Sequence, residues 1–72
     1  FAIYPNPSSS QFSIRTDEDI KSVVIYDATG KLAARFSNRK EMLDISSLQS
    51  GLYFVEIETT NNETSIEKLM KK

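Results

Sequence analysis

Leu52-Tyr53-Phe54-Val55-Glu56-Ile57-Glu58-Thr59 is the stretch that decides the fold class. Tyr53, Val55 and Ile57 recur at every second position, with Glu56 and Glu58 between them. Successive side chains of a strand point to opposite faces, so this spacing predicts a strand with one apolar and one solvated face. Phe54 falls on the Glu56 and Glu58 side, where it is either exposed or covered by something outside the main core.

Outward from this segment the same period recurs. Phe12 and Ile14 alternate with Ser13 and Arg15. Ser22 to Tyr26 is continuously apolar after its first residue and reads as a central strand covered on both faces. Lys31 to Phe36 and Met42 to Ile45 give weaker strand signals, and Thr64 to Met70 reads as a last strand. In that last segment Ile66 and Met70 share one side and Leu69 lies on the other, so its buried face is ambiguous. A helix competes over Ser37 to Leu48, but Asp44, Ser46 and Ser47 favour turns and caps over helix interiors. The tail from Ile66 is too short for a stable isolated helix.

The punctuation is chemically explicit. Asp27-Ala28-Thr29-Gly30 has the Asp and Gly preferred at the ends of a type I turn, and Gly30 is expected at positive φ. Asn61-Asn62 sits where a tight hairpin wants a residue that tolerates the left-handed region. Gln49-Ser50-Gly51 resets the chain before the strongest strand, and Pro5-Asn6-Pro7 interrupts any ladder because proline has no N–H. Short strands with turn signals at roughly 8–12-residue spacing point to an all-β sandwich or barrel. Seven isoleucines, three valines, five threonines and seven aromatics suit a pleated, half-buried surface.

Length and composition narrow the function. Seventy-two residues, 39% of them hydrophobic, make one domain with one small core. There is no cysteine and no histidine, so disulfides, thiolate zinc sites and the commonest general base are excluded. None of the ten serines sits in a Gly-x-Ser-x-Gly elbow, and the chain is expected not to be an enzyme. Nine basic and ten acidic side chains leave a net charge of −1, which argues against nucleic acid as a partner. No apolar run approaches the roughly 18 residues of a membrane helix, so no membrane insertion is expected. Asp17-Glu18-Asp19 lacks the spacing and glycine of a calcium loop, and no metal or other cofactor is assigned. Asn62-Glu63-Thr64 fits a glycosylation triplet, but an asparagine is wanted there by the turn itself. Lys68, Lys71 and Lys72 either blunt an edge strand against aggregation or form a charged recognition handle.

Four blocks, in order, resemble one family. They are Tyr4-Pro5-Asn6-Pro7 with Phe12-Ser13-Ile14, then Val24 to Leu32, then Leu43 to Val55, then Glu67-Lys68-Leu69-Met70-Lys71-Lys72. Together they are similar to the type A C-terminal sorting domain of the type IX (Por) secretion system of the Bacteroidota. The likeness covers essentially all of residues 1–72, which are expected to form one domain of a larger secreted precursor. The chain opens inside a strand at Phe1-Ala2-Ile3-Tyr4, and any signal peptide is expected upstream. Met70 stands where the family pattern has a β-branched aliphatic, and Gln11 where a glycine is expected.

The resemblance implies a small Ig-like antiparallel β-sandwich of about seven strands with Greek-key connections. It implies an address label that is carried behind an N-terminal cargo domain and passes through the periplasm. The type IX outer-membrane translocon recognises it, and a surface sortase typically cleaves it, leaving cargo at the cell surface or secreted. The expected signal proper is Lys68, Leu69, Met70, Lys71 and Lys72, on a terminal strand that can extend past the sandwich. Tyr4, Pro5, Asn6, Pro7, Asp27, Gly30, Lys31, Leu48, Gly51 and Tyr53 match the family as architectural positions. Tyr53 is expected to anchor the core with its hydroxyl bonded. A monomer is expected, although exposed edges leave room for pairing. The alternative is an Ig-like accessory or adhesion module that binds carbohydrate or protein through an exposed sheet face.

Overall fold

The strand at the centre of the sequence argument is also central in space. In a computed structural model, which describes residues 1–6 and 9–72, seven strands form two antiparallel sheets. They are β1 (Ala2–Tyr4), β2 (Gln11–Arg15), β3 (Ile20–Asp27), β4 (Leu32–Ser37), β5 (Leu43–Asp44), β6 (Gly51–Thr59) and β7 (Thr64–Lys71). One sheet has the order β1-β2-β5 and the other β4-β3-β6-β7. There is no helix among the described residues, so Ser37 to Leu48 resolves into the end of β4, the short β5 and turns.

β2 and β6 bury the alternate sets that their period predicts. Tyr53, Val55, Ile57 and Thr59 of β6 face inward, as do Val23 and Ile25 of β3 and Phe12 and Ile14 of β2. Ile20, Leu43, Ile45 and Leu69 complete the buried centre, with Phe1, Ile3, Phe36 and Leu48 packed around it. Burying a Val, Leu, Ile or Phe side chain is worth about 1.5–3 kcal/mol, so this layer supplies most of the driving force. β3 is covered on one face only. Val24 and Tyr26 point to the outside of the four-stranded sheet and are half-buried by their neighbours, so the expectation of two covered faces is corrected.

The order of strands is Ig-like. β1-β2-β5 and β3-β6-β7 correspond to the A-B-E and C-F-G groups, while β4 lies beside β3 instead of beside β5. The corner before β6 carries a second mark of that architecture. The Tyr53 hydroxyl donates to the Gln49 carbonyl at 2.7 Å, which ties the start of the strand back to the loop before it. Gly51 enters β6 at φ 149°, and a Cβ there would meet nothing within 4 Å. The constraint at Gly51 is therefore conformational, not one of space.

Candidate functional site

β7 carries the basic segment, and its two sides differ sharply. Leu69 is fully buried and lies opposite Tyr53, while Lys71 is 7% exposed and pairs with Gly51. Thr64, Ile66, Lys68 and Met70 face outward, with Ile66 63% and Met70 45% exposed. The ambiguity of the last strand is thus decided by Leu69, which the inter-sheet space takes in.

The expectation that the strand extends past the sandwich is corrected. Lys71 belongs to the ladder with β6, and its stem covers the end of the core while its ammonium donates to the Lys72 carbonyl at 3.0 Å. A lysine buries its methylenes readily as long as its head finds water or an oxygen. Of the five expected signal positions, Lys68, Met70 and Lys72 are offered to solvent, and Leu69 and Lys71 are turned inward. The ammonium of Lys68 has no carboxylate within ion-pair distance among the described residues; their single ion pair joins Lys21 to Glu58 at 3.9 Å.

Asn6 meets β7 across almost the whole length of the chain. Its Nδ2 donates to the Lys68 carbonyl at 2.9 Å, and its Oδ1 accepts from the Met70 N–H at 3.0 Å. Both backbone groups lie on the edge away from β6. Sequence reasoning placed Asn6 in a turn and missed this clasp. The available signal was an asparagine flanked by two prolines, which has few local N–H groups to bond. Tyr4 precedes it, 40% exposed, with the Arg15 guanidinium 4.9 Å from its ring centre. The Tyr4–Pro5 peptide is cis, and Pro7 lies outside the described residues.

The other family-matching positions are built into turns. Asp27 Oδ1 accepts from the Thr29 N–H at 2.9 Å, the Thr29 hydroxyl at 2.6 Å and the Lys31 N–H at 3.0 Å. The Thr29 hydroxyl and then the Lys31 N–H hold the Asp27 carboxyl below its ordinary pKa. Gly30 follows at φ 90°, as the turn requires. Asp44 is lowered for the same kind of reason, chiefly by the Ser46 N–H. Leu48 is half-buried against the core, and its N–H donates to the Ile45 carbonyl at 3.0 Å. Asn62 takes φ 66° in the β6–β7 hairpin, as its sequence position predicts.

The remaining clusters offer less. Across the outside of the four-stranded sheet, Leu32, Tyr26, Phe54 and Lys68 form one row, and Phe54 is half-buried there. At the far end of that face the Tyr26 hydroxyl reaches Glu56 and the Ser22 hydroxyl reaches Glu58, each at 3.5 Å. At the end of the sandwich the Asp17–Asp19 loop meets the β6–β7 hairpin, where the Thr60 N–H donates to the Asp19 carbonyl at 3.0 Å. A hydrogen bond to the Glu63 carboxyl pushes the Glu18 pKa up. No three His, Cys, Asp or Glu side chains are placed to hold a metal ion among the described residues. Nor does any helix there have the length and apolarity to cross a membrane.

Comparison with known proteins agrees with the geometry. No curated protein matches the sequence significantly. A family model described as the secretion system C-terminal sorting domain matches residues 2–72. That span takes in the Asn6 clasp, the Asp27 turn, the Tyr53 corner and the whole of β7, and the chain belongs to this family of type IX secretion sorting signals.

Proposed function

We propose that this domain routes an N-terminal cargo from the periplasm through the type IX outer-membrane translocon, which reads the segment Lys68, Leu69, Met70, Lys71 and Lys72 through its exposed side chains, Lys68, Met70 and Lys72. The carrying observation is the division of β7. Lys68 and Met70 of β7, and Lys72 just past its end, stand in solvent, while the inward residues Leu69 and Lys71 hold the strand in the sandwich. A receptor surface bearing carboxylates would be steered to the exposed ammoniums and would associate faster for it. A surface sortase then cuts the domain from the cargo, which stays at the cell surface or is released. The domain is a substrate in this sequence of events and not a catalyst.

The test is export of a fluorescent reporter that carries a signal peptide in front and these 72 residues behind. Reporter outside a type IX-competent bacterium, and retained in a translocon-null strain, is the expected result. Lys68→Ala with Lys72→Ala should hold the reporter in the periplasm while the melting temperature stays within a few degrees, because both side chains are exposed. Normal export of that double variant overturns the assignment of the signal. Lys71→Ala is a poorer probe, since it also uncovers the end of the core.

A further inference from the structure

We propose that the outer edge of β7, from Thr64 to Met70, is a strand-addition site for an extended acidic segment of a partner protein. In the free domain, the Asn6 carboxamide occupies part of that edge. The proposal rests on the reading that this segment is what the secretion machinery recognises, and adds where and by what chemistry it is bound.

The backbone comes first. β7 is the last strand of its sheet and, among the described residues, pairs only with β6. The Lys68 carbonyl and Met70 N–H point away from β6, because Asn6 bonds them there. Backbone direction alternates along an antiparallel strand, so the N–H and carbonyl of Ile66 point the same way. Asn6 donates one N–H and accepts another at residues two apart. One residue of a parallel neighbouring strand makes the same two bonds. The asparagine side chain thus stands in for the first residue of an added strand and shields the edge from indiscriminate pairing.

The side chains select the partner. Ile66 and Met70 flank Lys68 on the outward face, and both are among the most exposed apolar residues of the domain. An added strand would set its own side chains beside these three on the same face. Apolar, acidic and apolar residues at alternate positions would then satisfy all three at once. A second copy of the chain fits poorly. Two-fold pairing that matches Ile66 with Met70 brings Lys68 against Lys68, and like charges directly opposite destabilise a ladder.

The test uses the 72-residue chain and an end-capped peptide, Thr-Val-Thr-Glu-Thr-Val-Thr, titrated by amide NMR. The expected result is that the amides of Ile66, Lys68 and Met70 shift most. A peptide with Lys in place of Glu should bind about ten-fold more weakly. N-methylation of the edge-facing amides should abolish binding, since main-chain bonds carry the affinity. Asn6→Ala should tighten binding about thirty-fold, because the peptide no longer displaces two hydrogen bonds of about 1 kcal/mol each. Lys68→Glu leaves the core intact and should invert the preference between the Glu and Lys peptides.

Shifts centred elsewhere, no binding at all, or equal affinity for the two peptides overturns the edge site. An unchanged affinity in a folded Asn6→Ala chain overturns the role given to Asn6. The reporter assay reads the sorting function separately. Export without edge binding removes this proposal alone, and edge binding without export supports the site while removing the sorting reading.

Discussion

β6 and β7 are neighbours of nearly equal length, yet they are held in different ways. β6 pairs on both edges and buries four of its side chains, Tyr53, Val55, Ile57 and Thr59. β7 pairs on one edge and buries only Leu69 and, through its stem, Lys71. On its other edge the Asn6 side chain, from the far end of the chain, bonds Lys68 and Met70. Packing therefore dictates β6 almost residue by residue, whereas the outward half of β7 is free to be chosen for what it presents. The proposed signal uses that division, since a signal written into core positions could not vary without loss of the fold.

The sharpest way to break the comparison is Tyr53→Ala. It removes a ring that is 93% covered and should cost about 3–5 kcal/mol, comparable to the whole stability of so small a domain. Urea unfolding followed by circular dichroism reads it, and a loss below about 1 kcal/mol would contradict the placement of Tyr53 in the core. Leu69→Ala comes next, at about 2–4 kcal/mol, because it is the one fully buried side chain of β7. If Leu69→Ala unfolds the chain as readily as Tyr53→Ala, the contrast between the strands is weaker than their pairing suggests.

Tyr53→Phe isolates the corner from the packing. The ring stays and the bond to the Gln49 carbonyl goes, for an expected loss of about 1 kcal/mol. Smaller still are Ile66→Thr and Met70→Thr, each within about 0.5 kcal/mol of the parent because both side chains are exposed. A large stability loss from either would show that the outward face of β7 is structural and not free for recognition.

The turns supply a pH test of opposite signs. Asp27 and Asp44 have lowered pKa values in the folded chain. Their stabilisation is present above the unfolded carboxylate value of about 3.9 and is lost as pH falls through the lower folded values. Glu18 is raised, so the folded state binds its proton more readily than the unfolded one. Stability at that loop therefore increases as pH falls from neutral through the raised folded value, before the aspartate loss begins. Urea midpoints across pH 3–7 should show the gain vanish in Glu63→Gln and the acid loss shrink in Asp27→Asn. Identical profiles in all three chains would contradict both assignments.

Much of this was legible one segment at a time. Alternation in Leu52 to Thr59 specifies which residues of β6 face in, because a period of two leaves no other way to bury Tyr53, Val55 and Ile57 together. Asp27 and Gly30 specify their turn through bonds that span at most four residues. In Thr64 to Met70 the pattern was undecided, since apolar residues occupy both faces and either could have been buried. Val24 and Tyr26 misled in the opposite sense. Their apolar side chains suggested a second covering layer, and the sheet has none.

The sequence by itself determined an all-β fold of short strands, its turns, and which residues of β6 face inward. These follow from local periodicity and from backbone conformations that few residues tolerate. Only the tertiary structure decided which face of β7 is buried, that Lys71 is held in the ladder, and that Asn6 closes the edge beside Lys68 and Met70. Those outcomes depend on the space left between two sheets and on hydrogen bonds between residues more than sixty positions apart. No local pattern can encode them, because the groups that meet there share no turn and no strand.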